Sequence, residues 1–226
     1  MPKTTNKTHD WYFNIAEPRK NFLSKLEKQL SKQTFQNQVW ISFVGDVYGD
    51  SMDDNLITRE TLKLLNHYKI PVCICTKNPQ KMLRDLGIIK QFDDRIIAGT
   101  TLTFFNENKS KFWEPNANLS KQRIEALKIL HENDIKTHAS FEPCIEPEES
   151  LKIMKESLPY VDHYKVGILN HNKTITDGKD WENYLNEVLA MLRPLNKEIY
   201  VKNGLRRLTK SIELSQQEKD CDFYAL

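Results

Sequence analysis

Six short apolar runs punctuate the chain, and each passes directly into a polar cluster. Val39–Val44 ends at Gly45-Asp46, Pro71–Cys75 at Thr76-Lys77 and Ile96–Gly99 at Thr100-Thr101. Thr137–Phe141 ends at Glu142-Pro143, Tyr164–Ile168 at Asn170-His171 and Ile199–Val201 at Lys202-Asn203. Helical periodicity fills the intervals. Asn21–Lys32 sets Phe22, Leu23, Leu26 and Leu30 on one face, and Thr58–Tyr68 repeats the pattern with Leu62, Leu64 and Leu65. Asn78-Pro79 opens another helix, with Pro in its first turn. Ser120 is placed to cap a helix lined by Ile124, Leu127 and Leu130. Glu148–Ser157 and Trp181–Leu192 complete the series. Strands about 20–40 residues apart leave room for one right-handed crossover each. The pattern predicts an α/β fold of about six parallel strands with polar groups at their carboxyl ends, where such folds do chemistry. A partial (β/α) barrel and a doubly wound sheet fit this periodicity equally.

Composition narrows the function. The 226 residues are enough for one large domain with a core, 39% of them hydrophobic and 28% charged. A net charge of +2 supplies no global field for nucleic acid. No apolar run approaches a membrane span, and MPKTTNKTHDW lacks the apolar stretch of a secretory signal. Four cysteines without a framework spacing fit a reducing, cytoplasmic setting. None of the seven glycines forms a phosphate-binding motif. Residues 1–10 read as a loose tail, 20–205 as the barrel and 206–226 as a C-terminal extension of a single domain.

The stretches VWISFVGDVYGD, PVCICTKNPQKMLRDL, IIAGTTLT and WEPNANLSKQRIEALKILHENDIKTHASFEPCIEP resemble the radical S-adenosylmethionine (SAM) superfamily. The resemblance is nearest to the spore photoproduct lyase-like group and to phage-borne members, and it covers about residues 20–205. It implies a partial barrel, SAM as cofactor, and a 4Fe-4S cluster held by a CxxxCxxC loop after the first strand. This sequence has Cys73, Cys75, Cys144 and Cys221 in no such motif, and Cys73 and Cys75 alternate on one strand face. Asn21–Lys32 looks like the helix that follows the cluster loop. The expectation is a member shortened from the front, without the family's first strand and cluster ligands.

The resemblance also nominates a SAM pocket. It makes Lys77 the partner of the SAM carboxylate, although without the resemblance a strand-end lysine reads as a solvated cap. Ser42, Asp46 and Tyr48 belong to the first strand's end. Asp46 would accept from the SAM amino group, unless Gly45-Asp46 is simply a turn. Thr100 and Thr101 would lie near the ribose, although threonine also suits strands by shape. Arg123 would reach the SAM carboxylate or Glu142, and Glu142 is assigned to the site. Glu146, Glu148 and Glu149 suit a helix start. His171 and Lys202 end late strands with no partner evident. Arg206, Arg207 and Lys210 are weak support for nucleic acid. No metal-ligand spacing is present.

Two functions of different class follow. One is the SAM-binding body of a radical SAM-type enzyme whose cluster loop comes from a partner polypeptide, was lost, or precedes a truncated start. The other is a cluster-free binding module for SAM, a nucleotide or a partner protein. A third and weaker reading is a lyase with Lys77 as Schiff-base nucleophile.

Overall fold

The computed structural model describes residues 19–32, 37–41, 45–49, 56–170 and 172–220. Six parallel strands form one sheet in the sequential order β1 to β6. They are β1 (Val39–Ile41), β2 (Val72–Thr76), β3 (Ile96–Thr101), β4 (Lys136–Cys144), β5 (His163–Ile168) and β6 (Glu198–Val201). A doubly wound sheet reverses its strand order at a switch point. Here every strand is added on the same side of the last, as in a barrel wall.

The principal crossover helices are α1 (Phe22–Leu30), α2 (Ile57–His67), α3 (Pro79–Met82), α4 (Glu107–Trp113), α5 (Ser120–His131), α6 (Pro147–Ser157) and α7 (Trp181–Leu192). Their apolar stripes cover one face of the sheet. Leu30, Leu62 and Leu65 pack on Val72, Ile74, Ile96 and Ala98. Leu127, Ile153, Leu185 and Val188 pack on Ala139, Phe141, Tyr164 and Val166. Alternation along each strand therefore assigns the other residues to the inner, concave face. These are Trp40 on β1, Cys73 and Cys75 on β2, Gly99 and Thr101 on β3, His138 and Ser140 on β4, Lys165 and Gly167 on β5, and Tyr200 on β6.

Several local expectations shift. β2 includes Thr76, and β4 runs on to Cys144, with a register shift between Phe141 and Cys144. Such an irregularity re-aims a side chain at a strand end, here Glu142. Ser120 is the first helical residue of α5 rather than its cap, because its hydroxyl donates to Phe104 O at 2.5 Å. The side chain of Gln122 accepts from Leu119 N at 2.9 Å in its place. No helix among the described residues is long and apolar enough to cross a membrane.

Candidate functional site

Asp46, beyond β1, ties its own segment to the end of β2, and β3 joins the network through Thr100. Its Oδ1 accepts from Tyr48 N at 2.9 Å and from the Thr76 hydroxyl at 2.5 Å, while Oδ2 accepts from Lys77 N at 2.7 Å. The Thr76 hydroxyl in turn accepts from Asn78 N at 2.9 Å, and Thr100 Oγ1 donates to Thr76 O at 2.6 Å. An ionised carboxylate is an acceptor only, and charge-assisted bonds of this kind are the strong ones. Asp46 thus fixes the path of the backbone that carries Lys77. Thr100 is fully buried and its hydroxyl is spent on the strand end, so it braces the rim rather than facing a ligand. Thr101 is the inward neighbour, 3.9 Å from Cys75 Sγ.

Glu114, between α4 and α5, joins the next two groups. Lys77 Nζ lies 2.6 Å from its Oε1. Arg123 Nη2 lies 2.7 Å from its Oε2, an ion pair whose angle misses that of a hydrogen bond. Arg123 is only 1% exposed; its Nε donates to Asn118 O at 2.7 Å and its Nη1 to Thr101 O at 2.9 Å. Burial works to raise the Glu114 carboxyl, but the Arg123 and Lys77 charges outweigh it and hold the group below its ordinary value. The expected reach of Arg123 to Glu142 is not realised, because Glu114 and two backbone carbonyls occupy the guanidinium.

Glu142 stands on the far side of the hollow. It pairs with Lys202, just beyond β6, and accepts from Asn170 Nδ2 at 3.5 Å. The pair crosses β5 at Gly167, where a Cβ would come within 3.0 Å of Lys202 and 3.2 Å of Glu142. Between the two rims lies the concave floor. His138 Nε2 reaches over β3 to Ile74 O at 2.9 Å and to Cys73 Sγ at 3.7 Å. This path exists because residue 99 is glycine: a Cβ there would sit 1.8 Å from His138 O and 2.6 Å from His138 Cδ2. Burial, above all, pushes the imidazole down to about 3, so it is neutral. Lys165 Nζ lies over the Trp40 ring, 4.2 Å from its centroid.

The sequence-nominated residues therefore fall into two groups. Asp46, Lys77 and Thr100 share one bonded network, Thr101 and Arg123 adjoin it, and Glu142 belongs to the opposite rim. Ser42 and His171 lie outside the described residues. Glu114, Lys165 and the pairing of Lys202 were not foreseen. The one available signal was the charged residue inside the otherwise apolar run HYKVGI.

Among the described residues the thiols do not fit a 4Fe-4S cluster. Among the described residues no three Cys, His, Asp or Glu side chains converge as metal ligands. Burial pushes the Cys73 thiol up and holds Cys75 and Cys144 at about 11, whereas a cluster needs thiolates. Cys144 packs in the outer core, on the opposite side of the sheet from Cys73 and Cys75. Cys221 lies outside the described residues. SAM makes different demands, namely a cation for its carboxylate and polar groups along a cleft, and the Lys77 rim and the Thr101 face offer these.

Comparison with known proteins agrees with this architecture. SuiB of Streptococcus suis, in a crystal structure bound to S-adenosylmethionine, superposes with a TM-score of 0.59 at 14% identity, covering 88% of this chain and 47% of that one. A spore photoproduct lyase mutant gives a TM-score of 0.53 at 9% identity over 73% of this chain and 49% of that one. The chain shares the fold of SuiB and of spore photoproduct lyase. Spore photoproduct lyase complexed with dinucleoside spore photoproduct gives 0.50 at 11% identity, over 64% of this chain and 44% of that one. In sequence, an uncharacterised protein of Methanocaldococcus jannaschii is 29% identical over 159 residues, which span 70% of this chain. That match reaches 59% of the archaeal protein, so the chain spans about three-fifths of its curated relative and under half of SuiB. No family model matches the chain.

Proposed function

We propose that this chain is the SAM-binding body of a radical SAM-type enzyme, and that the cluster ligands come from polypeptide beyond these 226 residues. The observation that carries the reading is the charge arrangement at the rim. Glu114 holds two cations, and the buried Arg123 alone can balance it. Lys77, with a side chain 42% exposed, therefore carries charge available to an incoming carboxylate. Bound SAM supplies an activated sulfonium. The chain's own residues bind and orient it: Asp46 sets the Lys77 backbone, Lys77 takes the carboxylate, and Thr101 offers its hydroxyl from the concave face.

The likeness to SuiB, whose structure contains SAM, supports the reading. So does the sequence resemblance around Thr76-Lys77. The unsuitable cysteines favour one second reading, a module that uses the same hollow to bind SAM or a nucleotide without a cluster. Lys77 held by Glu114 does not support the Schiff-base lyase.

Calorimetric titration of the iron-free chain with SAM tests the proposal. One-site binding is expected, weakened about tenfold or more in Lys77→Met and unchanged in Lys121→Met on the exposed surface of α5. Absence of saturable binding, or equal binding by Lys77→Met, overturns it. Reconstitution with iron and sulfide is expected to give no stoichiometric cluster on this chain alone; a full cluster would refute the reading of its cysteines.

A further inference from the structure

Lys165 sits in the middle of β5 on the concave face, between Ser140 on β4 and Tyr200 on β6. Among the described residues its ammonium has no hydrogen bond and no ion pair. Its neighbours are two aromatic faces, Trp40 at 4.2 Å and Tyr200 at 5.8 Å. The charged and titratable groups that face it are Cys73 and Cys75 from β2, His138 and Glu142 from β4, His163 from its own strand, and Lys202 beyond β6. None of them forms an ion pair or hydrogen bond with it among the described residues. Both thiols are protonated, His138 is neutral, and the Glu142 carboxylate is taken by Lys202.

Desolvated charges are normally paired, and π-faces replace only part of an ammonium's hydration. What the site lacks is a negative charge. The Glu142–Lys202 pair crosses β5 at Gly167, one inward step nearer the rim, about 7 Å along the strand from Lys165. Lys165 is therefore deeper than the rim, and it stands on β5, three strands away from the β2 end that carries Lys77.

We propose that Lys165 seats the anionic group, a carboxylate or a phosphate, of a ligand distinct from SAM that enters the concave hollow, with Trp40 and Tyr200 flanking it. The inference stands on the Lys165 geometry and does not require the SAM reading.

Titration of the full chain with inorganic phosphate and separately with acetate, at constant ionic strength, tests it. Saturable one-site binding of at least one anion is expected, weakened tenfold or more in Lys165→Gln and kept within about threefold in Lys165→Arg. Phosphate or acetate alone would identify which anion class the site takes. Binding is also expected to change tryptophan emission in the wild type but not in Trp40→Phe, a readout that needs no Lys165 variant. No saturable binding of either anion, equal binding by a folded Lys165→Gln, or an emission change that survives Trp40→Phe overturns the proposal. With SAM at saturation, the anion affinity is expected to hold within about threefold; competitive displacement overturns the assignment to a second ligand. Lys165-dependent phosphate binding without any SAM binding would defeat the SAM reading and leave this one standing.

Discussion

Lys165 on β5 and Trp40 on β1 meet across the interior, ammonium to ring centroid 4.2 Å, although three strands lie between them. Neighbouring strands are about 4.8 Å apart, so in a flat sheet β1 and β5 would stand about 19 Å apart, far beyond a lysine's reach. The contact shows that the sheet curls on itself. Trp40 also meets His138 edge-on, with ring centroids 5.6 Å apart, so the first strand touches β4 and β5 through side chains alone. Curvature gives the strand ends a common hollow, and that hollow is what the functional reading needs.

Trp40→Ala removes both cross-barrel contacts. Truncating a buried aromatic costs about 3–5 kcal/mol, and half-burial places this one lower, at about 2–3 kcal/mol. Urea unfolding measures it.

Burial first, and then the nearby Lys202, hold the Lys165 ammonium below its ordinary 10.5. The unfolded chain then keeps this proton to higher pH than the native state does. Stability relative to Lys165→Met should therefore rise as pH climbs towards 10.5, and the penalty should be fully present at lower pH. Unfolding of both proteins at neutral and alkaline pH checks the sign. A difference that does not change with pH contradicts the assignment.

Glu114→Gln leaves the buried Arg123 without a counter-charge, whereas Lys77→Met removes only the partly exposed partner. Breaking a buried pair costs about 3–5 kcal/mol, and an exposed pair about 0–1 kcal/mol. Glu114→Gln is expected to be the more damaging by at least about 2 kcal/mol in chemical denaturation, on the same principle.

Gly99→Ala drives a methyl group into the backbone oxygen of His138, 1.8 Å away. Overpacking costs about 1–3 kcal/mol or more, and a backbone obstacle puts this substitution at the top of that range. His138→Ala should not rescue it, because that change removes the ring and leaves the oxygen. Thermal melts of the single and double variants decide this.

The strands were legible because strands buried on both faces, as β2 and β3 are, read as apolar runs. Their order was not, since periodicity carries no pairing information; the choice between barrel and doubly wound sheet needed the sequential order and the Lys165–Trp40 contact. α4 went unseen because ENKSKFW has no apolar stripe and leaves Phe112 exposed. Asp46 and Lys77 were found as strand-end groups. Glu114 was quoted in a motif but given no role, because its partners come from β2 and α5. Lys165 was missed because a lysine alternating with apolar residues reads as a solvated strand face. In a curled sheet that alternate face is the interior.

Hydrogen exchange of the chain with and without SAM, read by mass spectrometry, tests the central claim most directly. Slowed exchange is expected at the carboxyl ends of β2 and β3, around residues 76–78 and 101–103, with α6 and α7 on the outer face unchanged. Slowing confined to the amino ends of the strands or to the outer helices, or none at saturating SAM, would contradict it.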